Sequence, residues 1–392
     1  MFRQLIANLD RAGGGRLRRA TGRAEPPAYA GPVVSISGGR AEVAGVEEYT
    51  GLQPAHSVRL DDERQRAFLA RQTAVPNADG AFQTEELFRA TLRDVTFDPH
   101  SGAVWAADGA LVLDSIKNAG RLKHVAATPI APGVLAGAYS SIAGPISGNV
   151  FHWFIESLPR LYSLSSYPAP ITLLMPDRLP ADRREQLAAC LPPNVTLRTI
   201  PADCRVRVER FVLPSFLTTQ WDFAYPPYDH LAYVRDRLID AAGLPPRPVP
   251  GERIYILRDR ARVRRVINEA AVVELLQARG FRSYRLEELP FAEQLRLFRD
   301  AEIVIAPHGA GLANLLFAPP IPVLEFASRA VTPVYFFLAL ALGQAYRYLY
   351  PLELTGNEPL PSPSDGPRYS AARDLDLTVD LDALRAIVDE WS

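Results

Sequence analysis

From residue 251 onward, short apolar runs and amphipathic stretches take turns: "RIYILR", "NEAAVVELLQARG", "FRSYRL", "FAEQLRLFRDA", "EIVIAP", the stretch after "HGAG", "PVLEF" and "PVYFFLALALGQA". The short runs, rich in Ile, Val, Tyr and Phe, predict strands. The stretches between them place apolar residues three and four apart and predict helices. Strands joined through helices need crossover connections, so this half predicts a mostly parallel sheet covered on both faces, a Rossmann-like layer structure.

The first half is less regular. "LRDVTFD", "GAVWAA" and "ALVLDS", with Gly102 and Asp108-Gly109 between them, predict hairpins in the region 32–125. "VFHWFIESLPRLYSL" then predicts a helix, followed by strand "ITLLMP", helix "ADRREQLAACL", strands "VTLRTI" and "VERFVLPSF", and helix "YDHLAYVRDRLIDAAG". "GLPPRPVPGER" cannot continue that helix, because proline lacks the amide hydrogen and restricts the residue before it. The linker between two lobes is placed there. The division expected is a leader 1–30, a first lobe 31–245, a second lobe 246–352, and a tail 353–392 of loop and final helix. That helix, "DLDALRAIVDEWS", puts Leu381, Leu384, Val388 and Trp391 on one face and must dock.

Length supports two lobes: 392 residues, 48% hydrophobic, exceed what one core usually holds, so each lobe is expected to have its own. With 43 basic and 44 acidic residues there is no overall field to attract nucleic acid or anionic lipid. No stretch reaches the roughly 20 apolar residues of a membrane span, and the N-terminus lacks a secretory pattern, so a cytoplasmic protein is expected. Residues 1–23 put Phe2, Leu5, Ile6 and Leu9 on one face ahead of Arg11, Arg16, Arg18 and Arg19. That suits peripheral contact with the inner face of a membrane, against the plainer reading of a solvated leader. Cys190 and Cys204 are too few for a disulfide framework and have no metal-ligand spacing.

The candidate chemistry lies in "APHGAGLANLLFAPPIPVLEF", residues 306–326. Ligands of a doubly wound sheet bind at the carboxyl ends of its strands, where helix N-termini present free amides. Gly309 and Gly311, flanking Ala310, let the backbone approach an anion; His308 can donate to it; Asn314 sits in the first turn; a phosphate fits. Arg258 and Arg265 are expected to converge on the same edge and clamp a diphosphate. Glu325, ending the next strand, is placed to accept from ribose or sugar hydroxyls. Gln294 reads as an ordinary surface position. The turn is neither GxGxxG nor a Walker loop, which counts against a dehydrogenase or an ATPase.

In "GNVFHWFIESLPRL", His152 and Glu156 lie four apart on one helix face among Phe151, Trp153, Phe154 and Ile155. So apolar a setting is expected to raise the proton affinity of Glu156 and suit it as a general base for a sugar hydroxyl, with His152 holding its orientation. The alternatives are a plain helix contact or a metal site. His-Glu-x-x-His is absent, so no metal is expected.

These blocks, with "YILRD", "RRVINEAAVVELLQARGF" and "FAEQLRLFRDAEIVIAPHGAGLANLLFAPPIPVLEF", resemble glycosyltransferase family 61 over about half the chain, from Gly148 to Phe326. The resemblance implies a GT-B-like α/β fold of two Rossmann-like lobes facing a cleft, here with a β-hairpin-rich N-terminal region. It implies inversion at the anomeric carbon, a UDP-sugar as co-substrate, no metal, and a glycan or lipid-linked glycan acceptor, in bacterial members often for capsular polysaccharide. By position, Arg258, Arg265, His308, Gly309, Gly311, Asn314 and Glu325 correspond to donor-site residues and Glu156 to the base. A non-catalytic nucleotide-sugar-binding or glycan-binding subunit is the alternative from another class.

Overall fold

The computed structural model describes residues 29, 31–37, 43–70, 80–117, 122, 125, 128–144, 147–218, 225–247, 251–327, 332–352, 372 and 374–391. The leader 1–28 and the tail loop 353–371, and with them the membrane-contact expectation, lie outside the described residues. No described helix is long and apolar enough to cross a membrane.

The chain forms a mixed α/β structure on two large sheets. The second is five-stranded and wholly parallel, in the order Phe281–Tyr284, Glu252–Ile256, Ala301–Pro307, Pro322–Phe326, Ala345–Leu349. In chain order that is 2-1-3-4-5, a doubly wound arrangement that reverses direction between its first and third strands. The alternation read from the sequence is therefore what the chain builds beyond residue 251. Helices Glu269–Gln277, Phe291–Asp300 and Val334–Ala341 supply crossovers. The final helix, Leu381–Asp389, is capped by the Asp380 carboxylate, which accepts from the amides of Asp382 and Ala383 at 3.0 Å each. It packs Leu384 and Val388 into the cluster around Val272 and Leu276, with Leu381 and Trp391 at its edge.

The first sheet departs further from expectation. It has nine strands, in the order Val33–Val34, Leu111–Val112, Val104–Trp105, Leu87–Phe97, Arg205–Pro214, Ile130–Ser140, Ile171–Pro176, Val195–Ile200, with Val46–Gln53 also on Leu87–Phe97. The expected hairpins are present as the antiparallel strands Leu87–Phe97, Val104–Trp105 and Leu111–Val112, with Gly102 (φ 78°) and Gly109 (φ 86°) in left-handed turn positions. Arg205–Pro214, Ile130–Ser140, Ile171–Pro176 and Val195–Ile200 form a parallel block, and the short edge strand Val33–Val34 also runs parallel to Leu111–Val112. This lobe is thus a Rossmann-like half grafted onto an antiparallel one.

Each lobe keeps an apolar cluster of its own, around Phe97 and Phe211 in the first and Val272 and Ile305 in the second, and the two also share one. The largest apolar cluster runs from Phe68 and Phe82 through Phe154 and Leu161 to Phe298, Phe317 and Phe337. Across the seam Phe154 stacks on Phe291 (5.4 Å) and meets Phe317 edge-on (5.5 Å), while Phe82 meets Phe337 and Phe68 meets Phe336 at 5.1 Å. At about 1.5–3 kcal/mol per buried side chain, separating even these seven rings would cost on the order of 10 kcal/mol or more. The two sheets are therefore joined through a buried aromatic seam.

Candidate active site

The strand Glu252–Ile256 ends below Arg258, and the strand Ala301–Pro307 ends at His308-Gly309-Ala310-Gly311, so both deliver their residues to the point where the sheet order reverses. A cavity of about 340 Å³ opens there, lined by Leu257, Arg258, Arg260, Glu287, Gly309 and Gly311 among others. Both glycines are fixed by close approach rather than by backbone angle. A Cβ on Gly309 would collide with Nη1 of Arg258, and one on Gly311 would lie 2.7 Å from Leu286 Cδ1. Gly309 itself is extended, with φ −179°.

The helix that follows is Ala310–Phe317, which begins within the glycine turn itself and is wound as a 3-10 rather than an α-helix. Within it the Asn314 side-chain amide donates to the Gly311 carbonyl at 3.1 Å. Leu312 N to Gly309 O, 2.9 Å, is the first bond of the turn. The amides of Ala310 and Gly311 therefore precede the helical ladder and point out of its positive end. Asn314 also donates to Gln294 Oε1 (3.2 Å), and Gln294 donates to the carbonyls of Leu286 and Leu289 at 2.8 and 3.0 Å. Gln294 is thus no ordinary surface residue. It ties the glycine turn to the 286–289 loop, and Asn314, almost fully buried, acts from behind the turn rather than from the cavity wall.

Arg258 lies half-buried with Nη2 donating to the Val263 carbonyl at 3.1 Å, while its Nε is buried without a hydrogen-bond partner. Burial, and next the like charge of Arg264, lower its pKa. An anion bound there would relieve both. Arg265 does not join it. The side chain is exposed and bidentate to Asp376 (Nη2 2.6 Å, Nε 3.1 Å), with the Arg265 amide on the same carboxylate. Arg264, in a left-handed conformation (φ 59°), brings its charge within reach of Arg258, His308 and Tyr335.

Glu325 is also placed otherwise than expected. It is buried, with one oxygen bonded to His308 Nδ1 and the other accepting from Tyr346 Oη at 2.7 Å, so its carboxylate serves the protein interior rather than a ligand hydroxyl. Burial lowers the His308 pKa despite Glu325, leaving a neutral ring whose Nδ1 proton goes to Glu325. Nε2 of such a ring accepts, so the expected donation from His308 to a phosphate does not follow.

In the other lobe, Phe151 leads into a π-helical turn, His152–Ser157, closed by Leu158 N to Trp153 O at 2.9 Å. Pro159 follows directly, and the wider turn keeps its ring clear of the carbonyl four residues back. His152 Nδ1 and Glu156 Oε2 are 2.8 Å apart, but Glu156 is buried and its Oε1 accepts from Lys117 Nζ at 2.5 Å. Burial pushes the Glu156 carboxyl up; Lys117 and His152 together outweigh it and bring the pKa down to about 2. The expectation of a raised proton affinity is thereby corrected: the apolar sequence neighbours were visible, the lysine was not. Such a carboxylate is a weak base with both oxygens engaged. His152, half-exposed and with Nδ1–H held by Glu156, presents Nε2 as the basic atom.

A relay of ring contacts connects His152 with His308. His152 meets the Phe151 ring (5.4 Å), Phe151 meets Tyr335 (5.6 Å), and Tyr335 meets His308 (5.0 Å). Lys117, Arg264, Tyr335 and Tyr346 carried no signal in spacing or motif. Lys117, Tyr335 and Tyr346 come from segments apart from the motifs, while Arg264 stands next to Arg265. Among the described residues no group of three or more His, Cys, Asp and Glu is placed to hold a metal ion. Cys190 is buried, which pushes its thiol up to about 12, and it faces no part of this site.

The model of the family described as Glycosyltransferase 61 matches residues 150–323. EGF domain-specific O-linked N-acetylglucosamine transferases of Drosophila melanogaster and Gallus gallus are 40% identical over 70 residues and 36% identical over 72 residues. Each match covers 17% of this chain and 14% of the relative. Among solved structures, the iron-containing dodecameric glycosyltransferase TibC from enterotoxigenic E. coli H10407 is 12% identical over 80% of this chain and 85% of its own, with a TM-score of 0.31. The dodecameric iron-containing heptosyltransferase TibC in complex with ADP-D-beta-D-heptose is 13% identical over 94% and 98%, with a TM-score of 0.30. His152, Glu156, Arg258, Arg264 and the glycine turn all fall inside the stretch, residues 150–323, that is similar to glycosyltransferase family 61.

Proposed function

We propose that this chain is an inverting, metal-independent glycosyltransferase of GT-B-like architecture, moving a sugar from a UDP-sugar to a hydroxyl of a glycan. The observation that carries the reading is Arg258 laid against Gly309 at the reversal point of the parallel sheet, beside the open amides of Ala310 and Gly311. The diphosphate rests on that wall. His152 Nε2 takes the proton of the acceptor hydroxyl as its oxygen bonds to the anomeric carbon and the bond from that carbon to the diphosphate oxygen breaks. Glu156, kept ionised by Lys117, orients His152 and stabilises it once protonated. Arg258, Arg264 and the helix terminus take up the charge of the departing diphosphate, the part a divalent cation would otherwise play. Inversion follows from the single displacement.

The test is UDP release from a panel of UDP-sugars, alone and with oligosaccharide acceptors, alongside UDP affinity by titration calorimetry. His152→Ala is expected to slow release by at least about a hundredfold with UDP affinity unchanged, and Arg258→Ala to weaken both. A His152→Ala protein turning over at the parental rate removes the base. Binding of UDP without release by any form of the protein marks a non-catalytic subunit instead.

A further inference from the structure

With Glu325 committed to His308 and Tyr346, the ribose of the donor needs another acceptor, and the cavity contains one that the sequence does not single out. Glu287 sits in the 3-10 turn Leu286–Glu288, directly after the strand Phe281–Tyr284, and lines the same cavity as Arg258, Gly309 and Gly311. The turn is firmly held. Arg285 pairs with Asp259 at 2.7 Å, Glu288 with Arg260 at 2.5 Å, Gln294 holds the Leu286 carbonyl, and the Leu286 side chain fits against Gly311. Its acidic neighbour is thus neutralised across the mouth of the cavity. Glu287 is exposed and in no ion pair among the described residues, though Arg258 feels its charge.

A lone carboxylate on the wall of an anion site repels a diphosphate laid against it and so must face another part of the ligand. Topology says which part. The glycine turn follows the third strand in chain order, Arg258 the first and Glu287 the second, and these lie side by side in the order second, first, third. Neighbouring parallel strands are about 4.8 Å apart, so Glu287 stands about 10 Å across the sheet from the glycine turn with Arg258 between them. A nucleoside diphosphate anchored by its phosphates at Gly309–Gly311 and running toward the second strand brings its ribose to the Glu287 carboxylate. Acidic residues at the carboxyl end of a second strand meet ribose hydroxyls in doubly wound sheets for the same reason.

We infer that Glu287 accepts hydrogen bonds from the ribose hydroxyls of the donor and makes this cavity selective for ribonucleoside diphosphates. The inference rests on the donor-site reading above, and its test separates the two. Titration calorimetry on the full chain would compare UDP with 2′-deoxy-UDP, ADP with 2′-deoxy-ADP, and inorganic pyrophosphate, for the parent and for Glu287→Ala. The position is exposed, so the variant folds, which a thermal melt checks. The parent is expected to prefer the ribonucleotide by about tenfold, the worth of a hydrogen bond to a charged group. In Glu287→Ala the preference falls to within about twofold, and pyrophosphate binds as before or more tightly. A preference unchanged in Glu287→Ala, or absent in the parent, overturns the role of Glu287 while the pyrophosphate arm still reports the donor site. Failure of every nucleotide and of pyrophosphate to bind the parent overturns both.

Discussion

The Lys117–Glu156 ion pair permits a test of the site that needs no substrate. The Glu156 carboxyl is brought from an ordinary 4.5 to about 2 against the opposing effect of burial. At about 1.36 kcal/mol per pH unit, the depressed value contributes about 3 kcal/mol to stability at neutral pH. Because the folded-state pKa is the lower one, this contribution is fully present above about 4.5 and is lost as pH falls toward about 2. Lys117→Met removes the cation and leaves a buried carboxylate with His152 as its partner, at an expected cost of about 3–5 kcal/mol at pH 7. Glu156→Gln strands the buried ammonium at a similar cost. The double variant should recover much of the loss, giving a coupling energy of about 3 kcal/mol. Denaturant unfolding of the four proteins at pH 7 measures the cycle. Repeating parent and Lys117→Met down to pH 2.5 should narrow the gap between them by a comparable amount, since the other carboxylates titrate alike in both. A coupling below about 0.5 kcal/mol, or a gap independent of pH, would refute the account of Glu156 as a carboxylate held ionised by Lys117, and with it the transfer of the base role to His152.

Three further outcomes follow from the geometry. Gly309→Ala involves no backbone strain at φ −179° but drives a methyl group into Arg258, so pyrophosphate affinity should fall by about tenfold or more while the melting temperature holds; equal affinity would mean that Arg258 does not cover the turn in solution. Arg265→Ala should leave pyrophosphate and UDP affinity unchanged, because the guanidinium is turned to Asp376 in solvent; a loss matching that of Arg258→Ala would restore it to the site. Tyr346→Phe removes one of two hydrogen bonds to the buried Glu325 and should cost about 1–3 kcal/mol in denaturant unfolding, with nucleotide affinity lowered as His308 loosens; an undisturbed protein would show that Glu325 does not depend on it.

The parts of this protein that the sequence alone determined are those governed by local rules. The apolar period beyond residue 251 specified a parallel, doubly wound sheet, Gly102 and Asp108-Gly109 specified hairpin turns, and the amphipathic face of "LDALRAIVDEWS" specified a docked final helix. The glycines of the turn after "EIVIAP" and the pairing of His152 with Glu156 were legible for the same reason, since strand ends and positions four apart on a helix are fixed by backbone geometry. Tertiary structure alone decided the charge state and direction of each group. Whether Glu156 is a base or a held anion depends on a lysine 39 residues earlier; whether Glu325 meets ligand or His308 depends on Tyr346; which of two adjacent arginines turns inward depends on Asp376 and a left-handed backbone at Arg264. Electrostatic energy depends on distance through space and on loss of water, and neither is encoded in the spacing of residues along a chain.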